Sequence, residues 1–284
     1  MSEAYAAAGV DTEQADRGVA ALVEVLRGIE PERGSRTVPL PGHYASIIRI
    51  TSELGIALAT DSVGSKSIVA EQLARFDTIG IDCVAMNVND LICVGAEPLA
   101  VLDYIAVEQV DAEVLAQIAG GLRIGAEAAG VEIPGGEVCQ VPELLRGHPS
   151  PLGFDLVGSA FGTVSLDRII DGRRCRPGDA LIGLPSSGVH SNGLTLARRA
   201  LLDQGGLSLE SKPTELSGAT VGECLLEPTT IYVRAILELL ACDLDVHGLA
   251  HITGGGVLNL LRIGAGVGYS ISSPLAVPPI FGLI

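Results

Sequence analysis

Between Thr78 and Val94 the sequence holds an apolar run with helical spacing, interrupted by Asp82, Asn89 and Asp90. Any fold must bury one side of this helix and supply partners for those groups, because an unpaired buried amide costs roughly 2–7 kcal/mol. On a helix, Asp82 and Asn89 fall within about 20° of each other, while Asp90 lies about 80° round from Asp82. The two carboxylates are also about 12 Å apart along the axis. One Mg²⁺, with oxygen ligands at about 2.1 Å, cannot take both. Asp90 is therefore the first choice as a metal ligand, and Asp82 either serves another ion or pairs structurally.

The rest of the chain supports a core of small aliphatic residues. Of 284 residues 48% are apolar and only 3% aromatic, and 36 are glycine. That pattern suits sheets covered by helices, with many tight turns. The length allows two domains. A net charge of −16 argues against nucleic acid and anionic membranes as partners. An anionic substrate must then meet local cations, backbone N–H groups or a metal ion. Lys66 and Lys212 are the two lysines. Six scattered cysteines without a CxxC pair, and an N-terminus without a signal-peptide pattern, lead us to expect a reduced, cytoplasmic setting. Residues 263–284 carry no charge but are broken by Gly, Ser and Pro, so we expect a strand and a Pro-rich loop rather than a membrane span. The apolar ending Phe281–Ile284 leads to the expectation of a truncated chain.

Local signals give an order of elements. They predict a helix over 11–27 and a hairpin from Ser46–Thr51 and Ile56–Thr60. The 78–94 helix and a strand at Leu99–Val107 come next. A helix from Asp111 as N-cap to Ala129 then ends at Gly130. Strands are expected near Val131–Ile133 and Phe154–Val164, and later at Ala180–Leu184. Helices are expected over Asn192–Leu202, Thr229–Leu240 and Val257–Leu261. With no regular βαβ repeat, the class is α+β. We expect an N-terminal domain (1–166) with a mixed, largely antiparallel sheet, and a smaller, incomplete α+β domain (167–284).

Four segments carry candidate chemistry. In Asp61-Ser-Val-Gly-Ser-Lys66, Gly64 permits close approach of backbone to ligand, Lys66 can neutralise phosphate and Asp61 can hold Mg²⁺. The spacing is not that of a Walker A loop. A plain turn with a solvated lysine is the competing reading. The 78–94 helix is the second segment. In Ser186–Gly193 a hydroxyl- and amide-rich loop (Ser187, His190, Ser191, Asn192) precedes a helix, which Asn192 or Ser191 would cap. His190 there adds a group titrating near neutral pH. In His251-Ile-Thr-Gly-Gly-Gly256, Gly254, Gly255 and Gly256 can cradle phosphate, though a flexible turn explains them as well. Glu137, after Gly135-Gly136, is a candidate for the same site, and Asp103 follows an apolar strand. His43, His148 and His247 read as ordinary surface or loop histidines.

Taken together, DSVGSK, DTIGIDCVAMNVNDL, GAEPLAVLDYIA, SSGVHSNG, LLEPTTIYV and HITGGG resemble, in that order, the aminoimidazole ribonucleotide synthetase (phosphoribosylformylglycinamidine cyclo-ligase) family. The resemblance runs from Tyr5–Asp11 to Pro278–Phe281. Relatives on the same scaffold, such as selenophosphate synthetase and thiamine-phosphate kinase, match the last three motifs less well. The chain has Asp-Ser-Val-Gly-Ser-Lys for the usual Asp-Gly-Val-Gly-Thr-Lys. It also has Gly135–Pro142 as GGEVCQVP, losing a hydroxyl and an acid. The family continues beyond the PPIF segment.

The resemblance implies an ATP- and Mg²⁺-dependent cyclisation of formylglycinamidine ribonucleotide to aminoimidazole ribonucleotide, in a homodimer. It implies that Asp61, Asp90 and Asp82 hold metal, and that Gly64, Ser65, Lys66, Asn89, Glu137 and Gly254–Gly256 meet ATP or phosphate. It further implies that Ser187, His190, Ser191 and Asn192 meet substrate, with His190, Lys66 and Asp90 catalytic. The competing expectation is a non-catalytic nucleotide-binding fragment or pseudoenzyme.

Overall fold

Strands β1 (Thr37–Val38), β2 (Ser46–Arg49), β3 (Leu54–Ser62), β4 (Glu97–Val107), β5 (Gly136–Gln140) and β6 (Phe154–Ser165) form one sheet in the order β1-β2-β3-β6-β4-β5. The computed structural model describes residues 12–242, 244–264 and 266–284, so the Tyr5–Asp11 motif lies outside the described residues. Every neighbouring pair is antiparallel except β4 and β5, which run parallel. The expected hairpin is β2–β3, with Ile47 opposite Ala57. Strand β6 alternates buried and half-buried residues along its whole length, the period-2 signature of a strand with one covered face.

That face is covered by α3 (Ile79–Cys93), against which α4 (Ala112–Ala129) packs. The helices approach closely because Gly80 has no side chain: a Cβ there would run into the α4 backbone between Ile118 and Leu122. As expected, Asp111 caps α4, its carboxylate accepting from Glu113 N (2.8 Å) and Val114 N (3.2 Å), and left-handed Gly130 ends it. Where a strand was expected at Val131–Ile133, only an isolated bridge between Ala100 and Glu132 forms. The strand lies further on, at β5. Its parallel register with β4 places Gly136 opposite Asp103, a tertiary pairing that local sequence does not announce.

Among the described residues no strand follows Ser165. Ala180–Leu184 has no ladder partner, and Ile182 stands 82% exposed. A strand exists only by pairing, so an apolar run without a neighbour stays irregular. The second half is instead helical. It contains α5 (Leu194–Arg198, continued as a π-helical stretch over Arg199–Gln204), α6 (Val221–Leu226), α7 (Val233–Ala241) and α8 (Ile280–Leu283). Short 3₁₀ turns lie at Thr214–Leu216 and Gly256–Arg262. The helix expected from Thr229 starts at Val233, because the residues before it are bonded elsewhere, as shown below.

One continuous core joins Ile47, Val84, Leu91 and Leu156 to Leu201, Leu225 and Val233 of the second half. Helix α2 (Lys66–Leu73), which local signals did not reveal, packs against α6 in that junction. Helix α1 (Thr12–Leu26) keeps the predicted apolar stripe, but Leu22 and Leu26 remain exposed. No helix among the described residues is long and apolar enough to cross a membrane.

Candidate functional site

The site is built where α3 lies on the sheet. Asp61 on β3 stands opposite Gly158 on β6, which stands opposite Asp103 on β4. Buried Asn87 of α3 donates to the carbonyls of Asp61 (3.2 Å) and Cys83 (2.9 Å), fixing the helix register on the strands. A Cβ on Gly158 would sit 2.5 Å from Asn87 Nδ2 and 3.0 Å from Cys83 Sγ. We expect Gly158→Ala to force α3 off the sheet, with a loss of about 1–3 kcal/mol in urea unfolding and a fall in activity, since α3 carries Asp90.

Asp90 and Asp61 face the same region. Burial raises the Asp61 carboxyl above its usual range, with the Asp90 charge adding to it, while the Ser62 N–H (2.8 Å) acts the other way. Asp90 Oδ1 lies 2.8 Å from His251 Nδ1, and His251 Nε2 is buried with no partner among the described residues. Asn259 shapes the loop after His251, its side chain bonding Thr253 N (2.8 Å) and Gly254 O (3.2 Å), and Tyr44 donates to the Asn259 carbonyl. Gly255 and Gly256 take positive φ of 92° and 60°. Gly254 packs beside Asn192 of the Ser186–Gly193 loop.

His43 is no ordinary surface histidine. It is half-buried, with Asp171, Arg262 and Asp90 among the charges acting on it, and burial is the main cause of its lowered pKa. Its Nδ1 accepts from Tyr44 N (3.0 Å). Sequence reasoning missed it because nothing local to it signals the distant Asp90. His247, by contrast, sits with Asp179 and Asp245, away from this group.

His190 also differs from expectation. Its backbone is left-handed (φ 60°), a conformation that marks functional loops when a non-glycine residue holds it. Nε2 accepts from Ser187 N (3.2 Å) and Thr230 N (3.4 Å), so the ring proton sits on Nδ1. Burial, then His251 and Lys66, bring its pKa down to about 4, so it stays neutral at pH 7 instead of titrating there. The folded ring thus resists a proton that the unfolded ring accepts from about pH 6.5 downward. Stability is therefore lost as pH falls below 6.5, by roughly 2–3 kcal/mol by pH 4. We expect His190→Asn, which tolerates the same backbone, to lose less stability than the wild type between pH 7 and 4.5 in urea titrations.

Neighbouring hydroxyls hold the loops together. Ser191 Oγ donates to Val63 O (3.0 Å) and Ser65 Oγ contacts Thr195 Oγ1 (2.9 Å), joining the Asp61–Lys66 segment to the Ser186–Gly193 loop and to α5. Ser187 Oγ donates to Pro228 O (2.6 Å). Neither Asn192 nor Ser191 caps α5. Gly193 occupies the N-cap, and Asn192 instead reaches Met86 Sδ.

Three expected ligands take other partners. Lys66 and Asp82 are both fully buried and face each other at 2.8 Å. The ammonium also donates to Glu227 O (2.7 Å), and Asp82 Oδ1 accepts from Thr229 N (2.8 Å) and Oγ1 (2.6 Å). The lysine is thereby enclosed rather than presented to phosphate, and Asp82 pairs structurally rather than serving an ion. Asn89 is likewise engaged at both ends, donating to Thr230 O (2.9 Å) and accepting from Tyr232 N (3.0 Å). Glu137 lies on exposed β5 opposite Tyr104. It stands on the sheet face away from Asp61, three strands and about 14 Å off, because alternate residues of a strand point to opposite faces. Within one chain it does not join the site.

Asp61 and Asp90 fit a divalent cation: both offer hard oxygens, and the Asp90 charge disfavours ionisation of Asp61, a strain that a cation relieves. No group of three or more His, Cys, Asp or Glu side chains among the described residues could hold a metal alone. A Mg²⁺ ion commonly takes one or two carboxylates and completes its shell with phosphate and water.

Two family-model matches place this sheet with its helical layer, and its acid pair beside His251 of the second half, in an AIR synthase related protein. Residues 42–164 match the family model "AIR synthase related protein, N-terminal domain" and residues 176–283 its C-terminal counterpart. A phosphoribosylformylglycinamidine cyclo-ligase of Thermococcus kodakarensis is 48% identical over 282 residues, covering 98% of this chain and 79% of that protein. The chain belongs to the phosphoribosylformylglycinamidine cyclo-ligase family. Among solved structures, tt0281 from Thermus thermophilus shares the fold at TM-score 0.59 and 20% identity, over 93% of this chain and 76% of that one. Hydrogenase maturation protein HypE, solved in complex with ATP, shares it at TM-score 0.50 and 24% identity, over 79% and 60%.

Proposed function

We propose that this chain closes the imidazole ring of formylglycinamidine ribonucleotide, consuming ATP and releasing ADP, phosphate and aminoimidazole ribonucleotide. The observation that carries this is the 48% identity to a named cyclo-ligase over 282 residues, 98% of this chain. In the reaction the formyl amide oxygen takes the γ-phosphoryl group, giving ADP and an iminophosphate. The amidine nitrogen then attacks the formyl carbon and the ring closes. Phosphate leaves with the former formyl oxygen, and loss of a proton makes the new ring aromatic.

Such chemistry needs alignment and charge neutralisation more than covalent help. Asp61 and Asp90 would hold Mg²⁺, which supplies charge neutralisation at the phosphates when bound. The loop at Gly254–Gly256 receives phosphate through the backbone N–H groups of Gly254 and Gly255, the Gly256 N–H being held by Thr253 O (3.0 Å). His190, neutral and carrying its proton on Nδ1, contacts substrate or moves a proton beside Asn192. Ser187, Ser191 and Ser65 hold the loops, and Lys66, Asp82 and Asn89 hold the frame.

The domain boundary falls at 166/167, a reading supported by the gap between the two family-model matches. The protein acts as a homodimer through the helix-free sheet face, where Leu54, Leu102 and Tyr104 are exposed. It works in the cytoplasm, where its six free cysteines stay reduced. The test is phosphate release from MgATP. Release that requires formylglycinamidine ribonucleotide, with aminoimidazole ribonucleotide formed in equal amount, is the expected result. ATP binding without such release would establish the non-catalytic reading instead.

A further inference from the structure

The six residues Glu227–Tyr232 form neither helix nor strand, yet their polar groups are taken up in turn by the two halves of the molecule. From the first half, Lys66 holds Glu227 O, Asp82 holds both Thr229 N and its hydroxyl, and Asn89 holds Thr230 O and Tyr232 N. From the second half, Ser187 holds Pro228 O, His190 Nε2 accepts from Thr230 N, and Tyr232 Oη donates to Pro185 O (2.8 Å). Asp82 and Asn89 belong to one face of α3, as their separation of about 20° requires. Both therefore grip the same short segment.

We propose that Glu227–Tyr232 is a positioning strap: Asp82 and Asn89 fix its backbone, and through the Thr230 N–H it holds the His190 ring with its proton on Nδ1. A neutral imidazole has one donor and one acceptor nitrogen, and the neighbours decide which is which. The Ser187 N–H comes from the same loop as His190 and moves with it. The Thr230 N–H is anchored to α3, which also carries Asp90. The strap thus ties the tautomer of a group from the second half to the helix that bears the acid pair. Asn89 and Asp82 are positioning residues, since neither reaches the reacting atoms. The ring geometry stands without the cyclo-ligase reading, and only the effect on turnover rests on it.

The test uses the full chain with ¹⁵N-labelled histidine and no ligand, the His190 signal being assigned by its loss in His190→Asn. The wild type is expected to show Nδ1 protonated and Nε2 unprotonated. Asn89→Leu should show a mixture of tautomers in a chain that still unfolds cooperatively. Its kcat should fall about 10-fold while KM for ATP stays within about twofold. Should that variant not fold, Thr229→Val and Thr229→Ser decide the matter. The valine removes the hydroxyl bond to Asp82 and should mix the tautomers, while the serine restores the wild-type signal. A folded Asn89→Leu with an unchanged His190 signal would overturn the proposal, and so would valine and serine variants that behave alike. Absence of turnover in the wild type would count against the cyclo-ligase reading alone, because the tautomer measurement still decides the strap.

Discussion

Replacing Asp90 by Asn is expected to lower turnover of formylglycinamidine ribonucleotide by about 10²-fold or more, with the fold intact. The amide is nearly the same size, and the position is partly open, so packing changes little. On the proposed reading, what disappears is one of the two charges that would hold Mg²⁺ at the phosphates. Removing one preorganised electrostatic group at such a place commonly costs about 10²–10³ in kcat. The variant should also require more Mg²⁺ for half-maximal rate, because a single carboxylate, Asp61, remains. Its contact with His251 survives only as a neutral hydrogen bond. Steady-state rates at several Mg²⁺ concentrations, beside a thermal melt, test this. Unchanged turnover and Mg²⁺ dependence would remove Asp90 from the metal role and leave it as the partner of His251.

The sequence exposed those parts of the molecule whose causes are local. Asp111 and Gly130 bracket α4 because capping is decided within one turn, and β2–β3 declares itself by two apolar runs around a short turn. Asp61 and Asp90 could be singled out because a carboxylate at the end of an apolar run needs a reason. The remainder depends on packing between segments far apart in the chain. Lys66 meets Asp82 only after α2 and α3 fold against each other, and Asn89 finds its partners 141 and 143 residues away. Helical geometry did place Asp82 and Asn89 on one face, separate from Asp90, but not what that face would grip. β5 was hidden because parallel pairing with β4 is long-range, and His43 because its environment comes from Asp90 and Asp171. His190 was misjudged as a neutral-pH titrator since burial and the two N–H donors at Nε2 leave no trace in its neighbours' names.

The largest stability effect is expected from breaking the Lys66–Asp82 pair on one side. Both side chains are wholly inside, and burial alone lowers the Lys66 pKa, opposed by the attraction of Asp82. Each charge is tolerable only because the other is there, with Thr229 and Glu227 O completing the bonding. Lys66→Met would leave a buried carboxylate, and Asp82→Leu a buried ammonium. Either should cost about 3–5 kcal/mol. At this chain length that corresponds to a melting temperature lower by about 10 °C. The double variant is the informative one. If the pair mainly cancels its own desolvation, Lys66→Met with Asp82→Leu should recover much of the loss, since neither charge is left stranded. Recovery will be incomplete, because Thr229 N–H and Glu227 O still lose their partners. The double variant should therefore approach the wild type in thermal melts yet remain slow in turnover, as the Glu227–Tyr232 segment is no longer held. Additive losses in the double variant would mean that the two charges do not compensate each other.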